Sequence, residues 1–164
     1  MKQSDKPERF EKLVTDHRKI LYKVCNVYCA NPDDREDLAQ EITVQLWRSF
    51  DTFDGRGRFS TWMYRIALNV AISHLRSESR RARHVTSGSE QLLETVDETS
   101  QQPEEVRLLY YVIGRLDPLN KALIILYLDG NSYLEISEVL GISESNVATK
   151  LSRLKQTMKR ELTK

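Results

Sequence analysis

Apolar residues recur at three- and four-residue intervals along most of the chain, and no stretch keeps the two-residue alternation of a strand. The pattern predicts an all-α protein. Residues 8–29 place Phe10, Leu13, His17, Ile20 and Val24 on one stripe and predict a first helix, which Asn31-Pro32 closes. A second runs from Asp33 through Trp47 to Phe50, with Leu38, Ile42 and Leu46 as its buried line. Acids crowd its first turn, where the helix dipole favours them. Phe53 to Phe59 is a glycine-punctuated loop. Ser60 is expected to cap a third helix that reaches Arg76 or beyond and carries Trp62, Ile66, Val70 and Leu75, with Phe59 and Tyr64 stapling its start.

Thr86 to Gln102 breaks the pattern: polar, acidic and without a sustained apolar stripe, it reads as a flexible linker. Pro103 then opens a helix at its first position. Asp117-Pro118 repeats the cap-then-proline signal before the apolar run Leu119 to Leu128, which Gly130 ends. The chain thus divides into two small helical domains, residues 1–85 and 104–164, joined by an acidic connector at 86–103.

The run Ser132 to Gln156 is the most informative. Ser132 with Glu135 three positions later is a capping box, so a short helix begins at Tyr133 and buries Ile136, Val139 and Leu140. Gly141 supplies the left-handed residue that ends it, and Ser143 caps the next. There Val147, Leu151, Leu154 and Met158 face inward, leaving Asn146, Thr149, Lys150, Arg153 and Gln156 outside. Two helices joined by so short a turn form a helix-turn-helix, whose outer face carries groups suited to base edges and phosphates. Residues 145–164 hold Lys150, Arg153, Lys155, Lys159, Arg160 and Lys164 against Glu161 alone, roughly +5 where a nucleic-acid reader needs it.

The net charge of +1 is therefore a sum of blocks. Arg76, Arg80, Arg81 and Arg83 cluster beside Glu78, whereas Thr86 to Glu105 holds Glu90, Glu94, Asp97, Glu98, Glu104 and Glu105 with no Lys or Arg. No run approaches the ~18 apolar residues of a membrane span, and the N-terminus lacks a signal-peptide core. A cytosolic protein without membrane insertion is expected. Cys25 and Cys29 share a helix face but make only half a metal site, so packing is favoured over redox or metal chemistry. His17 falls on the apolar stripe as a core residue, while His74 and His84 lie beside arginines that would repel a cation. Asp33, Asp37 and Glu41 share a face, yet no second element supplies matching ligands. An enzyme is disfavoured, and no catalytic residue, metal or cofactor is expected.

In the N-terminal half, Asp37, Gln40 and Glu41 stand outside the buried line as a polar, acidic surface suited to a basic partner. Trp62, Tyr64 and Asn69 lie among Arg56, Arg58, Arg65 and Arg76; aromatics among cations suit single-stranded nucleic acid, whose bases stack and whose phosphates need neutralising. Trp62 and Tyr64 have a second reading, as core and staple residues.

These blocks carry a resemblance over nearly the whole chain. Asp34-Arg-Glu-Asp-Leu-Ala-Gln-Glu41, then Phe59-Ser-Thr-Trp-Met-Tyr-Arg-Ile-Ala-Leu-Asn69, then an acidic linker and a helix-turn-helix resemble, in that order, an extracytoplasmic-function sigma factor of the bacterial sigma-70 family. The resemblance implies that the second helix docks on the β′ clamp helices of core RNA polymerase through Asp37, Gln40 and Glu41. It assigns promoter minus-ten binding to Arg56, Arg58, Ser60, Trp62, Arg65, Asn69 and Arg76, with Asn69 and the Arg56–Ser60 loop holding a flipped-out base. Minus-thirty-five recognition falls to Asn146, Thr149, Lys150 and Arg153, with the polymerase β flap as a further partner. An anti-sigma factor, held at the inner membrane face, is also implied. Ser137 and Ala148 depart from common family residues, which bears on promoter preference. The alternative is a free-standing helix-turn-helix regulator that binds operator DNA unaided, although no heptad seam for a dimer lies outside the expected cores.

Overall fold

The computed structural model describes residues 5–82 and 103–163. Among these residues the chain is all-α, with no strand. The N-terminal domain holds α1 (Lys6–Asp16), α2 (Arg18–Tyr28), α3 (Pro32–Ser49), a 3₁₀ turn (Phe50–Thr52) and α4 (Phe59–Ala82). The C-terminal domain holds α5 (Glu104–Gly114), α6 (Pro118–Leu128), α7 (Tyr133–Leu140) and α8 (Glu144–Leu162). The acidic connector, except Pro103, lies outside the described residues, as do Arg83, His84 and Lys164.

The single helix expected over residues 8–29 is two helices, broken at His17 (φ −111°, ψ 21°). Leu13 O lies 3.2 Å from the His17 amide and 2.8 Å from its ring Nδ1, so one carbonyl draws both groups and the next turn starts afresh. The ring, half-buried, leans on Phe59 at 4.9 Å. Asn31 accepts a hydrogen bond from the Asp33 amide (2.8 Å), with Pro32 in the first turn of α3. Arg35 braces that corner by donating to the Cys29 and Ala30 carbonyls at 3.0 and 3.1 Å.

α4 departs most from expectation. It starts at Phe59, so Ser60 lies inside the first turn and is not the cap; the Trp62 amide bonds back to Arg58 O at 3.3 Å. The Phe59–Tyr64 staple does not form. Phe59 instead meets Phe53 (5.4 Å) and Trp62 (5.3 Å), while Tyr64 turns toward the other domain. Buried positions are Phe59, Met63, Tyr64, Ala67, Leu68 and Ala71; the expected line Trp62, Ile66, Val70 and Leu75 is half-buried beside it. Ala67 and Ala71 let α2 and α3 approach closely, a role for small residues that a hydrophobic stripe understates.

The C-terminal domain follows its local signals. Asp117 caps α6 through the Asn120 amide (2.9 Å), and Pro103 stands one position earlier than expected, as the residue before α5. The capping box of α7 is complete: the Glu135 amide donates to Ser132 Oγ (3.1 Å) and the Ser132 amide to Glu135 Oε1 (3.2 Å). Gly141 is left-handed at φ +71°, and Ser143 caps α8 through the Asn146 amide at 3.1 Å. Ile136, Val139, Val147, Leu151, Leu154 and Met158 form the buried face, with Leu140 half-buried. Buried apolar residues of the two domains join in one continuous core, because α2 and α4 pack against α6 and α7.

Cys25 and Cys29 are buried thiols, each 5% exposed. Burial pushes the Cys25 thiol up to about 11, against a smaller opposing pull from Arg35. At pH 8 its thiolate fraction is then ~100-fold below that of an ordinary thiol. A thiol-reactive dye is accordingly expected to label the folded chain at least ~100-fold more slowly than the urea-unfolded chain. Fast stoichiometric labelling of the folded chain would contradict the packing.

Candidate nucleic-acid interface

The expected site residues fall on three surfaces. The first is a groove of about 930 Å³ between α3 and α4. Asp37, Gln40 and Glu41 line it from α3 and are exposed; Asn69, also exposed, lines it from α4. The structure therefore brings together two sets of residues that the sequence separates by a loop. His74 Nδ1 lies 3.3 Å from Glu41 Oε2 and ties the two helices across the groove. Val44, 48% exposed, adds an apolar spot that the stripe of α3 did not single out. Such a mix of acids, an amide and one exposed apolar side chain suits a basic protein surface with a small hydrophobic contact.

The second surface is the loop and first turns of α4. Gly55 is left-handed (φ +82°), which lets Asp54 Oδ1 accept from the Arg56 amide at 2.9 Å and turns the Arg56 side chain, 91% exposed, into solvent. Phe50, Phe53, Phe59 and Trp62 form an aromatic cluster with centroids 5.3–6.1 Å apart. Trp62 Nε1 donates to Thr52 Oγ1 (3.2 Å), so the ring is half-buried and held by packing. Ser60 is half-buried beside it, and Arg76 is exposed two turns beyond Asn69.

Arg58 and Arg65 do not stand in open solvent alone. Arg58 Nη1 reaches Glu135 Oε2 at 2.9 Å, and Arg65 Nη2 donates to Glu138 O at 3.0 Å, both on the first helix of the helix-turn-helix. The bond from the Ser132 amide is the main cause holding the Glu135 carboxyl below its ordinary range, with Arg58 adding to it. Sequence spacing gave no signal of these pairs, since 77 and 73 residues separate their partners.

The third surface is α8. Asn146, Thr149 and Arg153 are exposed and Lys150 is half-buried, on the face opposite the core. Thr149 Oγ1 donates to Ser145 O at 3.0 Å, so its hydroxyl proton is already engaged within the helix. Lys155 lies over the Tyr127 ring at 4.1 Å, so that cation belongs to the edge of the domain and not to the outer stripe.

Residues 13–81 match sigma-70 region 2, and residues 107–158 match sigma-70 region 4. The chain is 30% identical over 152 residues to the ECF RNA polymerase sigma factor SigX of Bacillus subtilis, covering 87% of this chain and 77% of that one. It is 27% identical over 167 residues to SigW of the same organism, covering 94% and 89%. Two solved structures share the fold. One is the sigma factor RpoE in complex with the anti-sigma factor NepR from Bartonella quintana: TM-score 0.72, 16% identity, covering 93% of this chain and 95% of that one. The other is CnrH with the cytosolic domain of CnrY: TM-score 0.63, 22% identity, covering 96% and 86%. With both regions present in order and that degree of identity across most of its length, the chain belongs to the extracytoplasmic-function class of sigma-70 family RNA polymerase sigma factors.

Proposed function

We propose that this chain binds bacterial core RNA polymerase and directs it to promoters, holding the minus-ten element with α4 and its preceding loop and the minus-thirty-five element with α8. It acts as an initiation factor and performs no bond chemistry of its own. The observation that carries the reading is the α3–α4 groove, where the exposed Asp37, Gln40 and Glu41 face Asn69 across one opening. A β′ clamp helix docked on the acids lies beside the strand that Asn69 would hold, so polymerase binding and strand capture are neighbours on one rigid pair of helices. Extruding a base from its stack costs a few kcal/mol, which a fixed polar pocket offsets. Asn69 on α4 together with Arg56 on a glycine-set loop supplies an amide and a phosphate contact for that purpose.

On α8, the exposed Asn146 suits adenine and Arg153 suits guanine or phosphate, while Lys150 serves the backbone. The β flap would hold the C-terminal domain over the minus-thirty-five element. By likeness to the RpoE and CnrH complexes, an anti-sigma factor is the natural inhibitor, keeping the protein from polymerase in the cytoplasm or at the membrane face.

The test is run-off transcription with core polymerase on a genomic promoter library. Selective initiation on a subset of promoters is expected, with no specific operator duplex shifted by the lone protein; specific binding without polymerase would instead favour a free-standing regulator. Within that assay, Asn69→Ala is expected to lower promoter opening, followed by permanganate reactivity, more than it lowers polymerase affinity. Equal opening by mutant and wild type would remove Asn69 from the pocket. Arg153→Ala is expected to cost ~1–3 kcal/mol on cognate minus-thirty-five DNA alone if it reads a base. A uniform loss over all sequences, with a shallower salt dependence, would reassign it to phosphate.

A further inference from the structure

We infer that Arg48, at the C-terminal end of α3, holds a phosphate of the unpaired promoter strand, so that the α3–α4 groove takes protein at its acidic end and nucleic acid at its cationic end. The inference rests on the proposed function, which puts the captured base at Asn69, and adds to it a backbone contact from the neighbouring helix.

The groove has a polarity that neither helix shows alone. Two contacts fix its register: Phe50 meets Trp62 at 6.1 Å beside the loop, and Glu41 Oε2 lies 3.3 Å from His74 Nδ1 further along. The two helices therefore run antiparallel. At ~1.5 Å per residue, Arg48 lies ~10 Å along α3 from Glu41, and Asn69 lies ~8 Å along α4 from His74 on the same side of that pair. Arg48 and Asn69 thus stand at nearly one level. Packed helix axes are ~8–10 Å apart, a gap that an extended arginine side chain spans. Asp37 lies in the other direction, ~6 Å beyond Glu41.

Charge sorts what enters each end. Strand phosphates are repelled by Asp37 and Glu41 and drawn to Arg48, whereas a basic protein helix has the reverse preference. Glu41 and Arg48 are further apart than the Debye length of ~8 Å at physiological salt, so each end acts on its own occupant. One groove can then hold two ligands of opposite charge side by side.

Arg48 is also ready to bind. It is exposed, lines the groove, and among the described residues takes no hydrogen bond or ion pair. Arg58 and Arg65 are engaged by α7, and Asp54 stands 3.9 Å from the Arg56 guanidinium. Of these four arginines, Arg48 is the one that gives up no contact with a described residue to take a phosphate. A cation in the last turn of α3 also complements the helix dipole. That role needs charge at the helix end but no particular face; the place of Arg48 on the Asn69 side is what points to a shared ligand. The two groups then divide the work: an amide reads a base edge, and a guanidinium fork grips a phosphate whatever the sequence.

The test uses the holoenzyme with fluorescent single-stranded oligonucleotides, one carrying the minus-ten non-template sequence of a promoter that it transcribes and one scrambled. Affinities are measured across a salt series, with the affinity of each variant for core polymerase measured alongside. Arg48→Ala is expected to weaken both oligonucleotides by the same factor. That factor should shrink ~3-fold between about 50 and 250 mM salt, because one lost phosphate contact on a single strand lowers the salt slope by ~0.7. Arg48→Lys keeps the charge and is expected to recover most of the slope, while Asn69→Ala is expected to lower the cognate-to-scrambled ratio and leave the slope alone. A wild-type slope in Arg48→Ala would overturn the inference and leave the residue to the helix dipole. Weaker polymerase binding by Arg48→Ala with the oligonucleotide slope intact would overturn it too, assigning the residue to the protein end. A wild type that neither binds core polymerase nor discriminates the two oligonucleotides would instead sink the sigma reading.

Discussion

The hydrogen bond from the buried Tyr64 hydroxyl to Asp129, with that from Tyr28 to the Pro118 carbonyl (2.8 Å), sets the register in which the apolar faces of the two domains meet. A fully buried hydroxyl without a partner costs ~1–3 kcal/mol, so the end of α6 must sit where it can accept. That requirement orients α4, which carries the residues proposed for strand capture. Once Tyr64 points at α6, Arg65 lies against α7, and the Asn69 side of the helix is left facing α3. One helix thereby divides its sides between an occupied junction and an open groove.

This division leaves the two faces of the helix in different states. Asp37, Gln40 and Glu41 are exposed along the open groove, while Arg58 and Arg65 already have partners on α7. A basic partner of the acidic groove therefore meets no competing contact from the C-terminal domain, whereas a ligand of the two arginines does.

The helix-turn-helix was legible in the sequence because its signals are local. Ser132 and Glu135, Gly141, and Ser143 act over three or four residues, and the Val147–Met158 stripe needs only a helical period. The break at His17 and the phase of α4 were not legible, since both depend on packing from elsewhere in the chain. Trp62 and Ile66 are more apolar than Ala67 and Ala71, yet the alanines are the more buried because neighbouring helices come close there. Ser60 had the chemistry of a cap but stands within the first turn. The junction was the least legible part: Lys23 and Tyr64 lie 106 and 65 residues from Asp129, and no short-range pattern encodes such a pairing. The acidic face of α3 and the amide of Asn69 were each readable, whereas their meeting in one groove was not.

The most direct measurement is the distance between donor and acceptor dyes on Arg48 of α3 and Gln156 of α8, both exposed, by single-molecule energy transfer. The lone protein is expected to show one short distance, as the packing of α2 and α4 on α6 and α7 requires. A lone protein already extended, with its helices intact, would contradict that junction.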